Sequence, residues 1–227
     1  MLTLLTTTGC RQKPWSICEK LMANQTYDGL VRWVIVDDGE EAQAVTFNKQ
    51  NWSLEIVRPS HRWKQGANTQ QKNLIAGLNQ ISNKELLIII EDDDYYHPEY
   101  LETVAKWLKG ETLVGESATR YYNIQSKKYK QLSNFFHASL CTTALKGSAI
   151  DFLKAICITH KTLIDINLWK MYKGSKRLYK SELVVGMKGV GGRQGIGIGH
   201  NKDFQGKIDE DGSILKQWLK NDTAFYE

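Results

Sequence analysis

Long hydrophobic runs are missing from this chain. No window of its 227 residues approaches the roughly 20 apolar residues of a membrane-spanning helix. The opening Met1-Leu-Thr-Leu-Leu-Thr-Thr-Thr8 is too short and too polar for a secretory signal. Cysteine is scarce: Cys10, Cys18, Cys141 and Cys157 form no CxxC pair, and their scatter fits reduced thiols of a cytosolic protein better than a disulfide framework. Net charge is small as well. Thirty Lys and Arg against 25 Asp and Glu leave +5, which suits an anionic substrate and permits a nucleic-acid partner without establishing either. No internal repeat and no domain boundary stand out. These absences place the protein in the cytosol with soluble partners, peripheral docking being the only membrane route left open.

What is present is ordinary globular composition, 41% hydrophobic and 24% charged, with length for one domain. Strands are expected over Leu2 to Thr7, Val31 to Val36, Leu54 to Val57 and Glu85 to Ile90. Helical spacing runs through Trp15 to Asn24, Asn68 to Leu78 and Pro98 to Leu108. This alternation predicts an α/β domain with a mainly parallel central sheet flanked by helices. The second half is less regular. Strands are expected over Leu113 to Tyr122 and Cys141 to Leu145, and helices over Ser148 to Ile156, Leu163 to Met171 and Asp211 to Leu219. Between them, Gly186 to His200 holds seven glycines in the fourteen residues before the histidine and reads as a mobile loop, each Gly costing a helix about 1 kcal/mol relative to Ala.

Two acidic features fall at the carboxyl ends of expected strands, the edge where open α/β sheets bind ligands: Asp37-Asp38-Gly39 and Glu91-Asp92-Asp93-Asp94. Four consecutive acids repel one another, and a hard divalent cation offsets that, Mg²⁺ typically taking one or two carboxylates plus substrate phosphates. The competing reading is an exposed acidic turn before a helix, where acids suit the helix dipole.

These residues carry a family resemblance over roughly residues 1 to 108. Thr6-Thr7-Thr8, Trp33-Val-Ile-Val-Asp-Asp-Gly39, Gly66-Ala-Asn-Thr-Gln-Gln-Lys-Asn73 and Ile90-Glu-Asp-Asp-Asp-Tyr-Tyr-His-Pro-Glu-Tyr-Leu101 follow in the order and spacing of a GT-A glycosyltransferase of the family 2-like group. The resemblance implies a single GT-A domain with a nucleotide-sugar-binding half (1–108) and an acceptor-binding half (109–227). It implies that Thr6, Thr7 and Asp37 line the nucleoside pocket and that Lys72 approaches the nucleotide. Glu91-Asp92-Asp93 would be a variant DXD motif, with Asp93 on the metal, Glu91 and Asp92 positioning the donor, and Asp94 acting directly or orienting the site. Physically, the Asp37 carboxylate can accept from a base imide or a ribose hydroxyl, or else cap the turn to Gly39. Lys72 can offset phosphate charge, or else sit on a solvated helix face.

His200 closes the glycine-rich loop, and several GT-A enzymes complete their metal shell with a C-terminal histidine. Neutral imidazole suits Mn²⁺, and Lys188 and Arg193 on the same loop would meet the diphosphate. The alternative is a surface histidine. Asp165 falls where family 2-like inverting enzymes carry a general base, although Ile164 replaces the usual preceding acid; otherwise it starts or packs a helix. His137 can touch the acceptor or pack in the core.

The implied activity is Mn²⁺- or Mg²⁺-dependent transfer of a sugar from a nucleoside-diphosphate-sugar to a hydroxyl. The acceptor is a glycan or a modified nucleic-acid base, as in virus-encoded glycosylation of hydroxymethylated DNA. Lys127-Lys128-Tyr-Lys130 and the lysines from Lys170 to Lys180 would then contact phosphates, or else form solvated basic faces. Rival readings are a nucleotidyltransferase, whose Gly-rich basic signature Thr8-Gly9-Cys10-Arg11-Gln12-Lys13 does not match, and a non-catalytic nucleic-acid- or glycan-binding module.

Overall fold

The computed structural model describes residues 1–193, 199–200 and 204–226. Along the chain run β1 (Leu2–Thr8), α1 (Gln12–Ala23), β2 (Val31–Asp37), β3 (Trp52–Val57), α2 (Gln70–Leu78), β4 (Leu86–Ile89), β5 (Tyr95–Tyr96) and α3 (Tyr100–Trp107). There follow β6 (Leu113–Glu116), β7 (Ala118–Asn123), β8 (Lys128–Ser133), β9 (Thr143–Lys146), α4 (Ser148–Thr159), α5 (Ile164–Met171), β10 (Lys176–Tyr179), β11 (Val184–Lys188), β12 (Lys207–Ile208) and α6 (Ser213–Leu219).

A seven-stranded sheet has the order β10-β6-β9-β4-β1-β2-β3, and a five-stranded one the order β12-β8-β7-β11-β5. In the larger sheet β1 pairs in parallel with both β2 and β4, and β2 with β3. Only β9, set between β4 and β6, runs antiparallel to its neighbours. The expected α/β architecture with a mainly parallel sheet flanked by helices is therefore the observed one.

Strand alternation sorts the core into two layers. Leu2 and Leu4 of β1, Trp33 and Ile35 of β2, and Ile88 of β4 face α1, α3 and α6; Leu5, Val34, Val36, Leu87 and Ile89 face α2, α4 and α5. Buried on both faces, these strands read as continuous apolar runs, which is why they were legible. Helix α2 approaches so closely that a Cβ on Gly77 would lie 2.2 Å from Leu5 Cδ1 and 2.9 Å from Val36 Cγ2. Any side chain there would force Leu5 and Val36 to move.

The structure departs from the sequence reading in the second half. Leu113 to Tyr122 is not one strand. The chain changes sheets at Ser117, whose N–H donates to Tyr179 O and whose carbonyl accepts from Asn134 N–H, so that β6 joins the large sheet and β7 the small one. The basic segment from Lys128 is a strand that pairs with β7. The glycine-rich segment is not loop throughout. Gly186-Met187-Lys188 belongs to β11, parallel to β7, because a bare Gly186 lets the Tyr121 ring lie against the backbone. Gln194 to Ile198 of the expected loop lie outside the described residues. No helix among the described residues is long and apolar enough to cross a membrane.

Candidate active site

The carboxyl ends of β1, β2 and β4 meet along one edge, in register from Thr8 beside Asp37 to Leu5 beside Ile89. A cavity of about 750 Å³ opens there, within the usual size of a small-molecule site. Of the residues expected from sequence, Thr7, Glu91, Asp92, Asp93, Asp165, Lys188, Arg193 and His200 line it. Residues from both halves of the chain are thus brought together.

Five expected residues do not reach the cavity. The Thr6 hydroxyl points into the core and accepts from Trp33 Nε1 at 2.9 Å. Asp37 is 1% exposed, and its carboxylate is already engaged by Gly39 N–H, Gln43 N–H and Arg58. It closes the turn after β2. Lys72 stands exposed on α2, one residue off the face that carries Thr69, Gln70 and Asn73 into the site. Asp94 lies behind the cavity at 1% exposure, and its Oδ1 accepts Met187 N–H at 2.8 Å, tying the acidic run to β11. His137 is half-buried and also off the cavity wall.

Three residues to which the sequence reading gave no individual role organise the edge. Arg11 spans two adjacent carboxylates, with Nε 3.0 Å from Asp92 Oδ1 and Nη2 2.5 Å from Asp93 Oδ2. Asp38, fully buried, accepts from Arg193 Nη1 at 2.7 Å, from Asn73 Nδ2 at 2.8 Å and from the Thr69 hydroxyl. Thr8 Oγ1 donates to Asp92 Oδ2 at 2.7 Å. The signal for Arg11 was its place in the β1–α1 turn, at the same edge as the acids. Gly9 and Cys10 both have positive φ, 136° and 55°, and so fold the chain back onto Asp38 and the acidic run.

Repulsion along the acidic run is therefore offset by the chain's own cations. Burial works against the Lys188 ammonium, but Asp94, Asp93 and Glu91 outweigh it and raise its pKa. Burial likewise opposes charge on Arg11, and Asp92 and Asp93 overcome that. Among the acids, burial pushes Asp92 and Asp94 up to about 6 and Glu91 well above its usual value. Asp93 is the exception. Burial opposes its charge, yet Arg11, Lys188 and His200 together hold its pKa below the ordinary range. It is the one acid of the run whose pKa is lowered.

The donor set suits a divalent cation. His200 Nε2 lies 3.9 Å from Asp93 Oδ2. Metal–ligand bonds of about 2.1 Å allow two ligands of one ion up to about 4.2 Å apart. Burial, reinforced by Lys188, lowers the His200 pKa to about 4, so its imidazole is neutral near pH 7, as a ligand must be. A second group, Glu91, Asp94 and Cys141, brings ligand atoms within 4.8 Å of one another. Lys188 faces that group and supplies its positive charge.

On the far wall stand Asp165, in the first turn of α5, with Lys130, Lys161, Leu163 and Ile166 toward the opening. Tyr121 lies between the walls, its hydroxyl 2.7 Å from Ser139 Oγ and its ring 5.6 Å from Lys188 Nζ.

The profile of the family described as Glycosyl transferase family 2 matches residues 16–171, more than half of the chain. Among solved structures, that of TarS from S. aureus is similar at a TM-score of 0.54 and 14% identity, covering 82% of this chain and 37% of that one. The 1-349 portion of the same protein gives a TM-score of 0.53 at 13% identity, with 83% and 61% covered. The chain thus spans less than two thirds of either structure, and at such identities the likeness is one of fold. No curated protein matches the sequence.

Proposed function

The chain belongs to glycosyl transferase family 2, and on that premise we propose that it moves a sugar from a nucleoside-diphosphate-sugar, held against Asp92 and Asp93, to a hydroxyl admitted past Asp165. The observation that carries this reading is the meeting of Asp93, His200, Lys188, Arg11 and Arg193 in one cavity at the carboxyl edge of the sheet. Acids for an ion and cations for a diphosphate stand side by side there.

In this reading Asp93 and His200 hold Mn²⁺ or Mg²⁺. When bound, the ion neutralises charge developing on the leaving diphosphate. Lys188 gives a fixed positive charge on the same side, and Arg193 a planar donor set beside it, anchored by Asp38 and Gly9 O. Thr7, with Asn73 and Gln70 from α2, borders the nucleoside side. Glu91, bound to Gln70 Nε2 at 3.1 Å, braces the α2 wall. Asp165 receives the acceptor proton, which makes the transfer inverting.

The test is release of nucleoside diphosphate from a panel of donors by the full chain, with Mn²⁺, with Mg²⁺ and with a chelator. Release that requires a divalent ion supports the reading. Absence of release from every donor, with either ion, refutes it.

Charge favours an anionic acceptor. Residues 109–227 carry 19 Lys and Arg against 11 Asp and Glu, whereas residues 1–108 carry 11 against 14. Lys130 and Lys161 stand at the cavity mouth. A nucleic acid bearing a hydroxylated base fits this field, and its binding falls steeply as salt rises. Binding that ignores salt would exclude it in favour of a neutral glycan.

A further inference from the structure

Arg11 occupies an unusual place. Its guanidinium does not pair with one carboxylate in the common bidentate manner. It bridges neighbouring carboxylates, Asp92 and Asp93, at 3.0 and 2.5 Å. The side chain is buried with them, about 10% exposed. The same oxygen of Asp93 that receives Arg11 Nη2 is the one 3.9 Å from His200 Nε2. One oxygen therefore faces both a built-in cation and the imidazole that would share an ion with it. The backbone leading to Arg11 is held in the left-handed region at Cys10, a non-glycine residue, and conformations of this kind cluster at functional sites.

Two positive species cannot occupy one carboxylate pair at full strength. An ion arriving at Asp93 meets a site whose charge Arg11 has already offset. The Arg11 side chain itself lines the cavity, at the amino end of α1.

Resting on the donor-and-ion reading above, we infer that Arg11 is the resident counter-ion of Asp92 and Asp93 in the donor-free protein and moves to the donor diphosphate when a divalent ion takes Asp93. The arrangement couples ion and donor. The ion gains full access to Asp93 when a diphosphate is present to receive Arg11, and the diphosphate gains Arg11 when an ion releases it. Without the donor, the acids stay neutralised and the site holds its shape.

The experiment is a titration of the full chain with Mn²⁺, followed by the electron paramagnetic resonance of free Mn²⁺, first alone and then with UDP, GDP, CDP and ADP in turn. Wild type is expected to bind Mn²⁺ weakly alone and more tightly with its nucleotide, by a factor within the roughly 5- to 150-fold range of site coupling. Arg11→Met is expected to bind Mn²⁺ alone at least about tenfold more tightly than wild type, to lose most of the coupling, and to bind the nucleotide more weakly. Arg11→Lys, which keeps the charge but cannot bridge, is expected between the two, and it stands in should the methionine variant fail to fold. Equal Mn²⁺ affinity in wild type and Arg11→Lys or Arg11→Met, with coupling intact, overturns the role of Arg11 while leaving the ion-dependent reading standing. No Mn²⁺ binding by any of the three proteins, with or without nucleotide, overturns both.

Discussion

Replacing Asp38 with alanine removes the anchor of Arg193, Thr69 and Asn73 in one step and leaves a largely buried guanidinium without its carboxylate. The expected cost is about 3 kcal/mol, read as a fall in the urea midpoint at an unchanged slope. Lys72→Ala, on the exposed face of α2, should stay within about 0.5 kcal/mol and leave donor binding alone. A Lys72 variant that loses donor affinity would contradict the placement of that residue. At the acidic run, Asp93→Asn should abolish Mn²⁺-dependent nucleoside diphosphate release by at least about 100-fold while the protein still folds, since amide and carboxylate share a shape. Retained Mn²⁺ dependence would assign the ion to other ligands. The acids themselves were legible because they end apolar strands. What sequence did not disclose was which of two adjacent aspartates holds the residues that line the cavity. Asp37 and Asp38 are chemically identical, and only the turn through Gly39, with Arg58 captured by one and Arg193 by the other, separates their roles. Thr6 was lost for a similar reason: its hydroxyl answers the Trp33 indole inside the core.

Among the elements, the passage from β6 to β7 sets the chemistry of a buried acid. Glu116 ends β6 with no exposed surface; its Oε1 accepts from Ser181 Oγ and Leu183 N–H, and Oε2 has no partner among the described residues. Burial raises its pKa from 4.5 to about 7, against the pull of those hydrogen bonds and of Arg120. A carboxyl whose folded pKa is raised gives its full stabilisation below the unfolded value and loses it as pH climbs through the folded one. Stability from this group therefore declines between about pH 4.5 and 7. Glu116→Gln should gain about 1 kcal/mol over wild type at pH 8, roughly 2–4 °C in Tm, and nothing at pH 5. An equal difference at both pH values would assign the effect to packing. The switch itself was invisible in sequence. Leu113 to Tyr122 has the composition of one continuous strand, and only the backbone bonds of Ser117 to Tyr179 and Asn134, far along the chain, divide it. The strands of the smaller sheet were mostly missed because β5 and β12 are two residues long, β8 is basic and exposed, and β11 contains a glycine. None presents the apolar run that marked β1, β2 and β4.

Over the whole molecule, residues 1–108 and 109–227 share one sheet and one core rather than forming separate units. The large sheet takes β1 to β4 from the first 108 residues and β6, β9 and β10 from the rest, and the core layers cross the same line. Residues 1–108 made alone leave β4 without its partner β9 and expose the apolar face that α4 and α5 cover. That fragment should show no cooperative thermal transition and should bind a dye for exposed apolar surface. A sharp transition near that of the full chain would mean that residues 1–108 are a domain in their own right.

The antiparallel β9 has a further consequence in time. A ribosome releases β1, β2 and β4 early, at roughly 5–20 residues per second, yet the gap between β4 and β6 is closed by Thr143–Lys146. Until that short strand emerges, β4 presents a bare row of amide and carbonyl groups beside the acidic run. The strand that leads into the acidic run thus has an open edge in nascent chains until β9 is made, and a holdase that shields sheet edges would find a target there.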